Sequence, residues 1–435
     1  MSNSIVTVNV SEQVASAPNQ LQQTGAIISQ GATTAAAGTL TLLTDKTTLS
    51  ATLRTPLAIT SLTWAGSIVT AVTAAAHNIP SGDTVQGTIV GAVPAAYAGT
   101  FACTYVSPTS FTYPLASNPG AETTPGTFHL AAVDEVSAAN NSYWGQGSAQ
   151  AVYLLELGPG TPAQGVSALA TWLLNPTKPV YAYLCPQSWD TESTAPTLFK
   201  QYENPTSSVY FLVTTTLATY STWTTLPIKS VQLWLQSPLA PSAEFSAAGA
   251  LYPQLATDPG PVNLVAPLAF RFVFGLTPYT TLTSSQVAAV KAAGLNWIGT
   301  GAEGGISNML IMNGKYGDLH PWNYWYAVDW MIVNEQEALA AAVINGSNDP
   351  TNPLYYNQPG INTLQKVAQQ QYNRAVQFGM AQPGGVVTAI PFTTYVDENP
   401  GDYAIGKYAG LALTFVPLRG FEAIIVQLVA SDIPT

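Results

Sequence analysis

Charge is scarce in this chain: 12 Lys and Arg and 23 Asp and Glu make up 8% of 435 residues, where an ordinary soluble domain carries roughly a quarter. The basic residues are scattered singly and the formal net charge is −11, so no positive stripe exists to displace counterions from a phosphate backbone, which argues against nucleic-acid binding. Cysteine is nearly absent. Cys103 and Cys185 are too few and too far apart for a disulfide framework or a zinc spacing, and both read as buried apolar thiols. His77, His129 and His320 are equally dispersed, without the i, i+4 partner of a helical zinc site, and read as turn or hydrogen-bonded positions. Long hydrophobic runs are missing too: AVYLLEL (151–157) and FEAIIVQLVA (421–430) fall well short of the ~20 residues that span a bilayer. The opening MSNSIVTVNVSEQ has neither a basic n-region nor an apolar h-region, so the expectation is synthesis in a cytosol without Sec-type export.

What is present is apolar and aromatic. Hydrophobic residues are 47% of the chain, with 10 Trp and 21 Tyr, enough to fill large cores, and the length suggests about three domains. So few charges leave the question of solubility. Either other copies cover much of the surface, or a Ser/Thr/Gly/Pro-rich β surface is solvated by neutral polar groups.

The texture along the chain divides it. Residues 1–40 read as an extended arm, in which IVTVNV (5–10) alternates like one strand with too little apolar matter nearby to bury its own face. The far end mirrors it: Leu411 to Val416 and Ile424 to Val429 are β-rich runs, the last belonging to a C-terminal strand arm over 421–435. Residues 61–133 carry short strands with turn signals SGD, AGT, SPT and NPG, an inserted small β-sandwich or barrel. Residues 41–60 and 134–300 form an α/β domain: apolar strands at AVYLLEL, VYAYLC, SVYFLVT and SVQLWLQ alternate with amphipathic segments such as VSALATWLL. A helix SSQVAAVKAAG ends at Gly294. Residues 301–420 form a C-terminal core domain with a Gly-rich hairpin and two long helices, from His320-Pro321 to Gly346 and from about Gly360 to Met380. The fold class is therefore α/β (α+β) and multidomain.

No catalytic constellation emerges. GTGAEG (299–304) has the G-x-G-x-x-G spacing and follows a strand, but ISNMLIMNG after it reads as strand, not as the helix whose N-terminus faces a pyrophosphate. DENPGD (397–402) departs from the calcium-loop pattern and reads as a polar hairpin tip. Glu335 and Glu337 point apart on a helix, and Asp329 among Trp322, Trp325, Tyr326 and Trp330 reads as a buried hydrogen-bonded carboxylate. The expectation is a non-enzyme with no cofactor and no metal.

The Gly-rich hairpin, the aromatic helix carrying Asp329-Trp330, the loop NPLYYNQPGI and the run KYAGLALTFVPLRGFEAIIVQLVAS together resemble the contractile tail sheath proteins of myophages. In that loop Tyr355, Tyr356, Gly360 and Ile361 match the family's I-P-Y-T-x-x-G-I while Leu354 and Asn357 depart from it. The inserted module looks like a small β module of phage tail proteins. The resemblance implies a sheath-like core of mixed sheet and flanking helices, and a virion structural subunit that polymerises in stacked rings around a tail tube. It further implies contraction that drives the tube through the host envelope for genome delivery. The implied partners are other copies of the chain, the tube protein, the baseplate and the tail terminator, with assembly in the host cytoplasm and no membrane insertion. Ile5, Val6, Val8 and Val10, with Ile424, Ile425, Val426, Leu428 and Val429, are the strands such arms would lend to neighbours. The alternatives are another tail or virion protein, tube or capsid, and an extracellular adhesin or carbohydrate-binding protein.

Overall fold

The computed structural model describes residues 20–204, 207–224, 228–301 and 308–423. These divide into two compact units: residues up to Thr257 together with Phe272–Leu319, and Asp258–Arg271 together with the chain from His320 onward.

The first unit is built on a six-stranded sheet. Strands β1 (Gly25–Ser29) and β2 (Thr39–Leu43) come first. The chain then forms β3 (Leu57–Ala65), β4 (Ile68–Thr73), β5 (Thr84–Val90), β6 (Gly99–Ser107), β7 (Ser110–Pro114) and β8 (Thr127–Leu130), which close into a barrel in the order β3-β4-β7-β6-β5-β8. Helix α1 (Ala131–Trp144) leads back to the sheet through β9 (Val152–Glu156), α2 (Pro162–Leu174), β10 (Ala182–Leu184), α3 (Thr194–Lys200), β11 (Tyr210–Thr215), α4 (Ser221–Thr224) and β12 (Val231–Leu235). The sheet order is β12-β11-β10-β1-β9-β2, parallel throughout except for β2, which runs antiparallel on β9. Helices α5 (Ser246–Leu255) and α6 (Ser284–Ala292) and the antiparallel pair β13 (Trp297–Thr300) and β14 (Met309–Met312) complete the unit.

Sequence explains this layering. Strands β9, β11 and β12 are buried at every position, as a sheet covered on both faces requires. Their side chains meet the helices in an aromatic core in which Phe199 of α3 stacks on Phe211 of β11 at 4.0 Å, with Trp189, Trp223 and Tyr183 beside them. The barrel has its own core. On β4 alternate residues point inward, Val69 and Ala71 among them, and Phe111 and Phe128 meet at 4.4 Å between the walls. Its first and last strands pair with each other, Leu57 opposite Phe128.

In the second unit α7 (Trp322–Asn348) packs on α8 (Gln358–Gln377), followed by β15 (Val387–Ala389), α9 (Phe392–Glu398), α10 (Pro400–Ala404) and β16 (Leu411–Leu413). Asn357 caps α8 by accepting the Gly360 N–H at 3.0 Å. Ile361, Ala368, Tyr372 and Ala375 form its buried stripe, and Phe378, just past its end, meets Trp330 of α7 at 5.7 Å.

The mixed α/β class stands, and α6 stops at Gly294, whose φ of +74° an L side chain rarely adopts. Four readings need correction. Residues 25–29 are not arm: GAIIS is the buried third strand from the β2 edge, its run too short to stand out by periodicity. A boundary at 300/301 would cut between paired strands, since Trp297 lies opposite Met312 and Asn296 bridges Trp234 of β12, so the hairpin belongs to the first unit. DENPGD is not a hairpin tip but the junction of α9 and α10, where Pro400 starts a new helix after Asn399. Helix α7 passes through Gly346 and ends at Asn348.

Candidate functional site

The parallel strands reverse their order of addition between β1 and β10, the switch point outside whose carboxyl ends doubly wound folds place ligands. In such folds the main-chain N–H groups after the first strand, and the N-terminus of a following helix, receive an anion. Here the chain fills both places itself. The Glu156 carboxylate, at the end of β9 and 1% exposed, accepts from Gly31 N and Gly158 N at 2.7 Å each. Its other oxygen accepts from Ser29 Oγ at 2.6 Å, Thr33 Oγ1 at 2.7 Å and Thr33 N at 3.1 Å. Gly31 has φ +88°, and a Cβ on it would lie 2.7 Å from the Pro159 backbone, so the turn that delivers its N–H requires glycine. At the α2 N-terminus Thr161 and Gln164 form a reciprocal capping box and Pro162 has no N–H to offer.

Other acidic groups of this unit are also tied internally. Asp190 accepts from Trp223 Nε1 at 2.9 Å and from Thr219 Oγ1. Glu244 receives Thr277 through its N–H and its hydroxyl at 2.9 and 2.8 Å. His129 Nε2 and Asp134 lie 2.9 Å apart, joining β8 to α1, and Asp134 also accepts from Thr88 Oγ1 of the barrel. Cys103 and Cys185 are buried, and desolvation pushes the Cys103 thiol up to about 12. Gly299 lies in β13, whose next described partner is the antiparallel β14 and not a helix. His77 is buried in the barrel, its Nε2 2.7 Å from the Ser107 carbonyl, and Asp329 is fully buried on α7. Among the described residues no three His, Cys, Asp or Glu side chains gather to hold a metal, and no helix is long and apolar enough to cross a membrane.

The second unit offers an incomplete sheet. Strands β15 and β16 pair antiparallel with Val387 opposite Leu413, Thr388 opposite Ala412 and Ala389 opposite Leu411, and among the described residues no third strand joins them. The Ile390 N–H donates to the Gly410 carbonyl. Alternation along an antiparallel pair then turns the backbone groups of residues 388 and 412 inward, and those of 387, 411 and 413 outward. The outward side of β15 is sealed by α8: the Val387 N–H donates to Gln369 Oε1 at 2.8 Å and Gln365 Nε2 donates to the Val387 carbonyl at 2.7 Å. Among the described residues the outward side of β16 has no such cover, so within them the sheet has one open edge. Tyr372 helps hold the sealed side, its hydroxyl donating to the Gln382 carbonyl and accepting the Gly385 N–H.

The strand residues singled out from the sequence, Ile5, Val6, Val8, Val10, Ile424, Ile425, Val426, Leu428 and Val429, lie outside the described residues. The β15 to β16 edge was not singled out. The β-rich run from Leu411 marks β16, and the pair Gln365 and Gln369, four residues apart on α8, marks the side of β15 that the helix covers.

No protein-family model and no curated protein matches the chain. Solved structures do. A chain of the anti-feeding prophage helical sheath in its contracted state aligns over 98% of this chain and 99% of its own length, with a TM-score of 0.54 at 12% identity. This is the fold of a contractile sheath subunit. Chains from baseplate structures of the same prophage align as well, one with a TM-score of 0.55 over 99% of this chain and 100% of its own, the other, from the contracted state, with 0.51 over 98% and 97%, both at 12% identity. At 98% coverage or more, these alignments include residues of both units.

Proposed function

We propose that this chain is a structural subunit of a contractile tail sheath, a virion protein that polymerises into stacked rings around a tail tube. The observation that carries the reading is the two-stranded sheet with one edge sealed by α8 and the other open among the described residues, in a chain that aligns end to end with a helical sheath protein. A strand supplied by a neighbouring copy adds to the β16 edge through main-chain hydrogen bonds. The residues lent are Ile5 to Val10 or Ile424 to Val429. A contact between two different patches of the same protein does not close on itself, so its repetition builds a helical tube. The arms then act as hinges while the bodies repack on contraction, and energy stored in the extended packing drives the tube through the host envelope. Baseplate and tail terminator bound the tube at its ends. Assembly takes place in the host cytoplasm, and no cofactor enters the mechanism.

Electron microscopy of the purified protein across salt and concentration tests this: hollow tubes or rings are the expected result, and monodisperse monomers under every condition would overturn it. Deleting residues 1–12 is expected to abolish tube formation while leaving a folded monomer by circular dichroism. Unchanged tubes would remove the N-terminal arm from the scheme.

The barrel is proposed as a decoration on the outer face of the tube. Its first and last strands are hydrogen-bonded neighbours, so the chain enters and leaves it at nearly one point. Replacing residues 57–130 by a short Gly/Ser linker is expected to preserve tube formation in the same micrographs, with tubes of smaller outer diameter. Loss of assembly by a variant that remains folded would count against that position.

A further inference from the structure

A cavity of about 490 Å³ opens beside the closed anion cradle, at the carboxyl ends of β1 and β10, and the assembly reading makes no use of it. It is lined by Ile28 and Pro186 from the strand ends, Gln86 and Thr88 from β5 of the barrel, and Val136 and Glu135 from α1. Its size is that of small-molecule sites, which combine apolar walls with a few placed polar groups. Among the described residues Glu135 is its one titratable side chain, and no Lys, Arg or His lines it. The Glu135 carboxyl accepts a single hydrogen bond, from the Gln187 N–H at 2.8 Å, and the side-chain Oε1 of Gln187, also in the lining, is buried with no hydrogen-bond partner.

We propose that this cavity binds a small organic monocation, a primary amine or guanidine on an apolar body, whose N–H groups meet the Glu135 carboxylate. An anion is disfavoured by Glu135 and finds the neighbouring N–H groups already taken by Glu156. A purely apolar ligand would cover the Glu135 carboxylate without giving it a donor, which is costly. An amine or guanidine supplies both the charge and the donors.

Burial pushes the Glu135 carboxyl up to about 7. The other ionisable groups around it are engaged elsewhere: Asp134 with His129 and Thr88, Asp190 with Trp223 and Thr219, Glu192 with Thr194, and Asp83 with Gln164. Cys185 stays a thiol because burial raises it well above its ordinary value. A bound cation favours the ionised carboxylate, so binding is strongest above pH 7 and weakens as pH falls through it. Between pH 8 and pH 5.5 the apparent affinity drops about thirty-fold.

The test uses the full-length protein with phenethylamine and its uncharged analogue 2-phenylethanol, by calorimetry and thermal shift at both pH values. The expected result is that the amine binds better than the alcohol at pH 8, loses about thirty-fold at pH 5.5, and binds Glu135→Gln no better than the alcohol does. Ala132→Phe, which fills the cavity, is expected to abolish binding of both. Equal affinity for amine and alcohol, a flat pH profile, or undiminished amine binding by Glu135→Gln would each overturn the proposal. The unmodified protein alone supplies the first two readouts. The outcome does not depend on whether the chain forms tubes.

Discussion

Leu413→Pro is expected to stop polymerisation while leaving the monomer folded. Proline is tolerated on a sheet edge where the N–H faces away from the existing partner, and the outward position of residue 413 follows from the Ile390 to Gly410 hydrogen bond and the strand register. The substitution deletes a donor that an incoming strand would use and places a ring in its path. Tubes should disappear from micrographs of Leu413→Pro, with a melting temperature within a few degrees of the parent. Ala412→Pro is the matched control. Its N–H points inward to β15 opposite Thr388, so proline there breaks the existing pair and should lower the melting temperature of the monomer itself. Normal tubes from a folded Leu413→Pro protein would exclude the β16 edge as the docking site. Opening the sealed edge by Gln369→Ala should expose the Val387 N–H without restoring assembly to Leu413→Pro, because α8 still stands in the way.

Glu156→Ala is expected to be among the most destabilising single substitutions in the first unit. Five donors converge on that carboxylate, three of them main-chain N–H groups of residues that are buried or nearly so. Leaving them unpaired costs about 3–5 kcal/mol, which for a domain of this size lowers the melting temperature by about 10 °C. Ser29→Ala removes one donor and should cost only about 1 kcal/mol. A more specific signature accompanies the larger loss. Removing the carboxylate recreates the anion site that the fold offers, so millimolar formate, phosphate or sulfate should recover part of the stability of Glu156→Ala with little effect on the parent. Absence of rescue by every anion, in a variant that folds, would mean that the N–H groups no longer converge once Glu156 is gone.

The elements that were legible in the sequence are those whose burial is uniform or strictly periodic. Strands β9 to β12 stand out because both faces are covered and every residue is apolar or nearly so. Helix α2 announces itself by the spacing of Val166, Leu169 and Trp172, while its capping box at Thr161 and Gln164 emerges only in the structure. Strand β1 was hidden because its three apolar residues sit within a long polar stretch; only the tertiary sheet makes it a strand. Tyr395 accounts for part of the misreading of 397–402. Its hydroxyl donates to Asp402 and accepts the Ala409 N–H, folding an acidic stretch into helix rather than hairpin. The Glu156 cradle and the cavity at Glu135 were out of reach for a common reason. Glu156 and Ser29 are 127 residues apart, and Glu135 and Gln187 are 52 apart, so neither pairing leaves a local pattern. The edge to which the proposed arm strands would add is defined only by which side of a two-stranded ladder the α8 glutamines occupy.

The adjacent ends of the barrel also bear on the order in which the chain acquires its structure. The contacts between β1 and β9 close a loop of well over a hundred residues, and closing long loops before any contact rewards them is what makes such topologies slow. The barrel occupies most of that loop and is made of short-range antiparallel pairs with a core of its own. Once it has closed, β3 and β8 lie side by side and the path from Leu43 at the end of β2 to Ala131 at the start of α1 shortens to the stretches Leu43–Leu57 and Phe128–Ala131. By pairing its own first and last strands the barrel is thus suited to act, during folding, as a clasp that brings β1 and β9 together.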